Sequence, residues 1–291
     1  MTGPAFAPLP SRALIRLSGP DWRGFLQGLI TQDVDTLAPG EARFGGLLTP
    51  QGRLIWDLFV VGLDDGAFID IAAEHRAAAI QRLTMYRLRS KVQILADEAP
   101  VAALYGDGLP APGQGWFADP RLPGLGLRGY GASAPPEAVV RDETAYERHR
   151  LNLGAPGPAD WGVEKTYPIE ADFDLLAGID FKKGCFVGQE TTSRMKRRGQ
   201  IKTRMLPIVF EGPAPAPGAE VLAGDLRAGE VLSGHDGRAM ALLRLDRIAD
   251  AALTVDGRPV RVDRPAWIAS EPVTGRSEEH TSELQSPNCI S

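Results

Sequence analysis

Cysteine, histidine and long apolar runs are all scarce in this chain. Its 291 residues hold two cysteines, Cys185 and Cys289, and four histidines, His75, His149, His235 and His280. The stretch "RSEEHTSELQS", Arg276 to Ser286, reads as translated sequencing-adapter DNA, so Arg276 to Ser291 is set aside as one sets aside a fusion scar. Cys185 is then the one cysteine left, which argues against a disulfide framework and for a reducing compartment. No Cys-x-x-Cys or His-Glu-x-x-His spacing occurs, so a self-contained zinc site is not expected. No segment approaches the roughly 18 apolar residues that span a bilayer, and no membrane partner is expected. The first residues, "MTGPAFAPLPSRALIRL", lack the basic start and apolar run of a secretory signal, and their prolines interrupt a transit helix. A cytoplasmic monomer is the resulting expectation.

What is present describes a globular α+β protein. The chain is 43% hydrophobic and 24% charged, with a formal charge of -5 that becomes -3 without residues 276–291. Its length exceeds that of one ordinary core, so two or more domains are expected. Ala13 to Leu17 reads as a strand, and Trp22, Phe25, Leu26 and Leu29 follow at helical spacing after a Ser-Gly-Pro turn. Residues 42–49 and 53–63 flank "PQG" as a hairpin, and 67–71 is a further strand. Ala73, Ala77, Ile80 and Leu83 place a second helix, after which "SKVQIL" returns to strand character. Residues 106–137, with eight glycines and six prolines, read as loops with short strands, and residues 142–150 as a helix. From Ile201 short strands alternate with turns, the pattern of a small β-barrel or sandwich. The division expected is a region 1–200, built of two interleaved subdomains, followed by a barrel at 201–275.

The chemistry concentrates in "KKGCFVGQETTSRMKRRG", residues 182–199. Gly188 reads as the cap of a short helix, Glu190 sits in its first turn, and Arg194, Lys196, Arg197 and Arg198 fill its last. Between Lys182 and Arg204 eight basic residues face Glu190 alone, a local +7 in an acidic chain, which implies an anionic ligand or partner. No nucleic-acid-reading motif accompanies the run, and direct nucleic-acid binding is not expected. A free cysteine is most often a small buried hydrophobe. Here Gly184 and Gly188 allow close backbone approach, while Lys183 and the helix start favour a thiolate. One thiolate does not hold an iron–sulfur cluster by itself, so Cys185 is at most one ligand of a cluster shared with a partner.

"KGCFVGQE", Lys183 to Glu190, resembles the signature of the YgfZ family of folate-binding proteins, which serve iron–sulfur cluster assembly and repair and tRNA modification. The resemblance extends in order through "FLQGLITQDV" (25–34), "LLTPQGRLIWD" (47–57), "YRLRSKV" (86–92), "ADPRLPGLGLR" (118–128) and "YPIEADFD" (167–174). Phe186 stands where the family often has tyrosine. The family is similar in fold to the aminomethyltransferase T-protein of glycine cleavage, which implies α+β folate-binding domains, a C-terminal β-barrel and a tetrahydrofolate pocket. The T-protein's acidic residue in an Asn-Ala-x-Asn-x-x-Lys-Asp motif is matched here by Ala78 at the end of "IAAEHRAA". The resemblance therefore implies a tetrahydrofolate-binding accessory factor for four-iron proteins rather than a turnover enzyme, with Cys185 beside the folate cavity. Lys183, Gly184, Gly188, Gln189 and Glu190 form its motif. Asp33, Arg53, Asp57 and Glu170 are candidate folate contacts, and Arg194, Arg197 and Arg198 are candidates for the folate tail or a partner. The implied partners are iron–sulfur assembly proteins or four-iron client enzymes. A folate-dependent one-carbon transferase and a non-catalytic adaptor with a basic docking helix are the alternatives.

Overall fold

A computed structural model describes residues 3–197, 199, 201–249 and 251–268; Arg198, Cys289 and the adapter-like stretch lie outside the described residues. The chain opens with β1 (Ala5–Pro8), β2 (Arg12–Ser18), α1 (Trp22–Gln27), β3 (Ala42–Leu48), β4 (Leu54–Leu63), β5 (Gly66–Ala72), α2 (Arg76–Arg87) and β6 (Gln93–Asp97). Then come β7 (Val101–Tyr105), β8 (Trp116–Ala118), β9 (Leu127–Tyr130), β10 (Val139–Val140), α3 (Glu143–Asn152), α4 (Pro158–Trp161) and α5 (Gln189–Arg197). Strands β11 (Thr203–Val209), β12 (Glu220–Ala223), β13 (Leu226–His235), β14 (Arg238–Arg244), β15 (Leu253–Val255) and β16 (Arg258–Val262) complete it.

Two five-stranded sheets, ordered β10-β1-β7-β9-β8 and β3-β4-β5-β2-β6, precede a closed barrel ordered β11-β14-β13-β12-β15-β16. The pairing is antiparallel throughout except between β1 and β10. The two sheets meet across Ala7, Leu9, Val101 and Ala103 of one and Leu14 and Val61 of the other. The opposite face of the second sheet is covered by α1 and α2, through Trp22, Phe25, Leu26, Ala79 and Leu83. Nine of the ten β4 residues are buried, which is why "LIWDLFVVG" reads as an almost unbroken apolar run: both of its faces are covered. The α2 segment is preceded by a single 3₁₀ turn at Ala73–His75, so the helix starts three residues later than the apolar spacing suggests. The Asp142 side chain accepts from the Ala145 N–H and starts α3. In the Gly/Pro-rich region two short strands of one sheet, β8 and β9, form with a single 3₁₀ turn at Pro123–Leu125 between them.

Candidate functional site

Two regions merit description, and the first is a cavity of about 830 Å³ bounded by β2, β4, α3, α4 and the turn before α2. Its walls are aromatic, from Trp56, Phe59, Tyr146 and Trp161, and polar, from Arg12, Asp57, Arg121, Arg128, Glu147 and Arg150. Each guanidinium faces carboxylates. Arg12 donates to Asp57 at 2.9 Å and through Nε to Asp70 at 2.6 Å, and Arg128 donates to Asp70 at 2.5 Å. Arg121 pairs with Asp119 at 2.7 Å, and Arg150 with Glu147 at 2.8 Å and Asp160 at 3.2 Å. Tyr130 adds its hydroxyl to Asp70 at 3.1 Å. Three guanidinium groups also surround the Phe59 ring, Arg128 closest at 3.9 Å from its centre.

This packing explains the electrostatics. Burial by itself raises a carboxyl pKa, but the Arg12 and Arg128 charges outweigh it at Asp70 and hold the group below the usual carboxylate range. Glu147 is likewise lowered against its burial by Arg150. Burial pushes the Tyr130 phenol well above its ordinary range, assisted by the Asp70 charge. Because the four arginines are matched by Asp57, Asp70, Asp119, Glu147 and Asp160, the cavity offers no surplus of positive charge to an anion. Its chemistry suits a neutral, planar, hydrogen-bonding ring.

The second region is the loop bearing Cys185. Asp180 accepts from the N–H groups of Lys182 and Lys183 at 2.7 and 3.2 Å, which turns the chain. Lys183 then reaches inward, and its Nζ donates to the carbonyls of Gln27, Ile30 and Gln32 at 2.7, 2.8 and 2.9 Å. An ammonium has three donors, so all are engaged. Burial pulls the Lys183 pKa down to about 8, opposed by Asp33, Asp180 and Asp35. Phe186 enters one core and Val187 packs on another, while Gly184 and Cys185 stay exposed. The buried Phe186 ring needs no partner for a hydroxyl, which suits phenylalanine at that position.

Gly188 has φ +82° and lies against the β3–β4 turn, where an added Cβ would meet the Thr49 carbonyl oxygen at 2.7 Å and Gly52 Cα at 3.0 Å. Gly52 answers with φ +83° and an equally close approach to Thr191. Two glycines thus let the "PQG" turn and the α5 start touch backbone to backbone. Gly184 is different: a Cβ there would meet nothing within 4 Å. Gln189 donates its N–H to Phe186 O at 3.1 Å, and Glu190 is exposed.

Among the remaining sequence candidates, Asp57 lines the cavity and is held by Arg12. Asp33, Arg53 and Glu170 lie elsewhere. Asp33 accepts from Gln27 and from Thr36 at the end of α1, Arg53 stacks on Tyr167 at 4.1 Å, and Glu170 accepts from the Tyr167 N–H and the Thr203 hydroxyl. Arg194 and Arg197 are exposed on α5, away from the cavity lining, and Arg198 is outside the described residues. Cys185 is not among the lining residues either. Ala78 is exposed on α2, whereas Glu74 and His75 of the same stretch reach the cavity. Sequence reasoning passed over Arg12, Asp70, Arg121, Arg128, Glu147 and Arg150. The available signal was a charge inside an apolar strand, as in "FIDIA", where burial demands a partner.

Comparison with known proteins follows this geometry. Residues 202–270 match the model of the CAF17 C-terminal β-barrel domain. The whole chain resembles the crystal structure of the glycine cleavage system aminomethyltransferase T from Bartonella henselae, with a TM-score of 0.75 at 19% identity over 91% of this chain and 86% of that one. It therefore has the aminomethyltransferase-like fold with a C-terminal closed six-stranded barrel, as the sequence implied. The chain is 31% identical to the mitochondrial iron–sulfur cluster assembly factor IBA57 homolog of Phaeosphaeria nodorum, over 86% of this chain and 73% of the relative. It is 30% identical to mitochondrial IBA57 of Mus musculus, over 82% and 77%. Across relatives of this description the match spans 54% to 78% of their length. These relatives are mitochondrial, which overturns the expectation of a cytoplasmic location; the lack of an early basic amphipathic segment was too weak a basis for it. They also replace the YgfZ assignment with a related one: the chain belongs to the IBA57 family of iron–sulfur cluster assembly factors.

Proposed function

We propose that this protein supports the assembly or repair of four-iron proteins by presenting Cys185 as a ligand shared with a partner, while the cavity binds a reduced folate. The observation that carries the first half is the clasp on Lys183: an exposed cysteine sits on a loop fixed from beneath by three carbonyl hydrogen bonds. An exposed cysteine on a fixed loop is suited, once reduced, to a cluster that also needs ligands from another protein. In the reduced protein the Cys185 thiol proton would leave to solvent as the sulfur lone pair binds iron.

For the folate, the donor set fits. The cavity volume lies within the range of small-molecule sites, Trp56, Tyr146 and Trp161 offer flat faces, and Asp57 and Glu147 offer acceptors for the amino and ring N–H groups of a pterin. When bound, a reduced folate would supply a carrier for one-carbon units. Arg12 and Arg150 orient the two carboxylates, and the aromatic walls exclude water. Strand β4 joins the two regions, since its leading turn packs on Gly188 and its Trp56, Asp57 and Phe59 line the cavity.

The test uses cells lacking the protein and supplied with variants at matched levels. Cys185→Ser is expected to abolish support of four-iron client activities while leaving folate binding intact, because serine is a poor ligand for iron. Full rescue by that variant would remove the thiolate from the mechanism. Saturating tetrahydrofolate should raise Tm by mass action, and an unchanged Tm would remove the folate.

A further inference from the structure

The C-terminal end of α2 carries features that neither the cavity nor the Cys185 loop uses. Leu88 ends the helix with φ +43° and is 88% exposed, and Met85, one turn earlier, is 64% exposed beside the partly exposed Tyr86. A leucine at positive φ is strained, and a glycine would end the helix without that strain. Burial within the chain does not offset it, because the side chain stands clear of the body. Around these apolar groups lie Arg82, Arg87, Arg89 and Lys91, and no acidic residue occurs from Arg76 to Ile94. Among the described residues Arg82, Arg87, Arg89 and Lys91 form no ion pair with a carboxylate. The acidic group at this end is Asp21, which lies by Leu88, Arg89 and Ser90 and whose carboxylate accepts from the Lys91 N–H at 2.7 Å.

The tip is also held in place. The Asp21 contact pins the chain just past the helix, Arg87 donates to Val92 O at 3.3 Å, and Gly19 lies so close that an added Cβ would meet Lys91 O at 2.3 Å. We propose that this tip seats the protein on an anionic lipid surface, with Met85 and Leu88 entering the interface and Arg82, Arg87, Arg89 and Lys91 meeting lipid phosphates and carboxylates. Charge complementarity selects an anionic occupant. The projection of Leu88 favours a lipid surface over a peptide, which needs a groove to lie in. The tip thus qualifies the expectation of no membrane partner, which followed from the absence of a spanning segment. Surface seating needs no such segment, and no helix among the described residues is long and apolar enough to cross a membrane.

The experiment is sedimentation of the full chain with vesicles of phosphatidylcholine alone or with about a third phosphatidylserine, at low and high salt. Binding is expected only to the anionic vesicles and is expected to fall with salt. Met85→Ser with Leu88→Ser should weaken it about tenfold, as should Arg89→Gln with Lys91→Gln, with Tm unchanged because all four side chains are exposed. Arg194→Gln with Arg197→Gln, on the other basic helix, should leave it intact. No sedimentation with anionic vesicles, equal binding to neutral ones, or binding that survives both tip pairs would overturn the proposal. Binding lost only with the α5 pair, or capture of the tip by an acidic protein in place of lipid, would overturn it equally.

Discussion

The cavity and the Cys185 loop both bury positive charge, and they satisfy it differently. In the cavity, four guanidinium groups meet five carboxylates, so the charges cancel locally and the geometry is locked by forked hydrogen bonds. Under the loop, one ammonium donates to three neutral carbonyls, and Asp33, Asp180 and Asp35 act on its charge without an ion pair among the described residues. Ion pairing makes the first region a rigid container. The carbonyl clasp makes the second a loop fixed from beneath, two positions before Cys185.

The comparison breaks first at Asp70, which is fully buried and receives Arg12, Arg128 and Tyr130. Asp70→Ala takes from buried Arg128 its closest carboxylate and from buried Arg12 one of two, and should cost about 3–5 kcal/mol, read as a lower urea midpoint. A cost under about 1 kcal/mol would mean that the network does not hold the cavity. Next is Lys183→Met, which keeps the stem but leaves three carbonyls without their donor. A loss of about 1–3 kcal/mol is expected, with faster proteolysis in residues 180–188 and no change in the cavity's affinity for folate.

The two regions should also differ in the sign of their pH dependence. Asp70 and Glu147 have carboxyl pKa values lowered by folding, so the stability they contribute is complete above the unfolded value of about 4 and is lost as pH falls through the folded ones. Glu147→Gln should flatten that acid limb of a Tm profile. Lys183 has its pKa lowered to about 8, so above that pH the unfolded chain holds more protons than the native one, and stability attributable to it rises toward the ordinary lysine value. The difference in Tm between wild type and Lys183→Met should therefore grow between about pH 8 and pH 10. A flat difference would show that burial is not the main influence on this lysine.

The smallest effect separates two glycines of one motif. Gly188→Ala places a methyl group against the Thr49 carbonyl at a positive φ and should cost about 1–3 kcal/mol. Gly184→Ala meets open space at an ordinary φ and should stay within about 0.5 kcal/mol. Equal effects in urea unfolding would remove the distinction between a packing glycine and an unconstrained one.

Much of the framework was legible because it rests on local rules. The alternation in residues 13–17, the helical spacing of Trp22, Phe25 and Leu26, the "PQG" turn and the short strands after residue 201 each encode an element within a few residues. Asp57 drew attention within the family-like stretch "LLTPQGRLIWD", and its cavity neighbours did not. Arg12, Asp70 and Arg128 converge from three strands spread over more than a hundred positions, and no local spacing records that meeting. Lys183 was noticed for its charge, yet its role lies in backbone carbonyls of residues 27–32, groups that every residue has and no sequence marks. Arg53 and Glu170 drew attention within family-like motifs. The structure gives Arg53 an aromatic stack and Glu170 a turn to close.

The Lys183 hydrogen bonds join positions 151 to 156 residues apart. A contact of that separation forms only after the intervening chain has been made and its ends brought together, at the entropic cost of closing a long loop. The cysteine therefore acquires its setting only with that closure. A nascent, truncated or nicked chain can contain the motif without fixing it in place, and the loop takes its setting only in molecules whose beginning and middle have met.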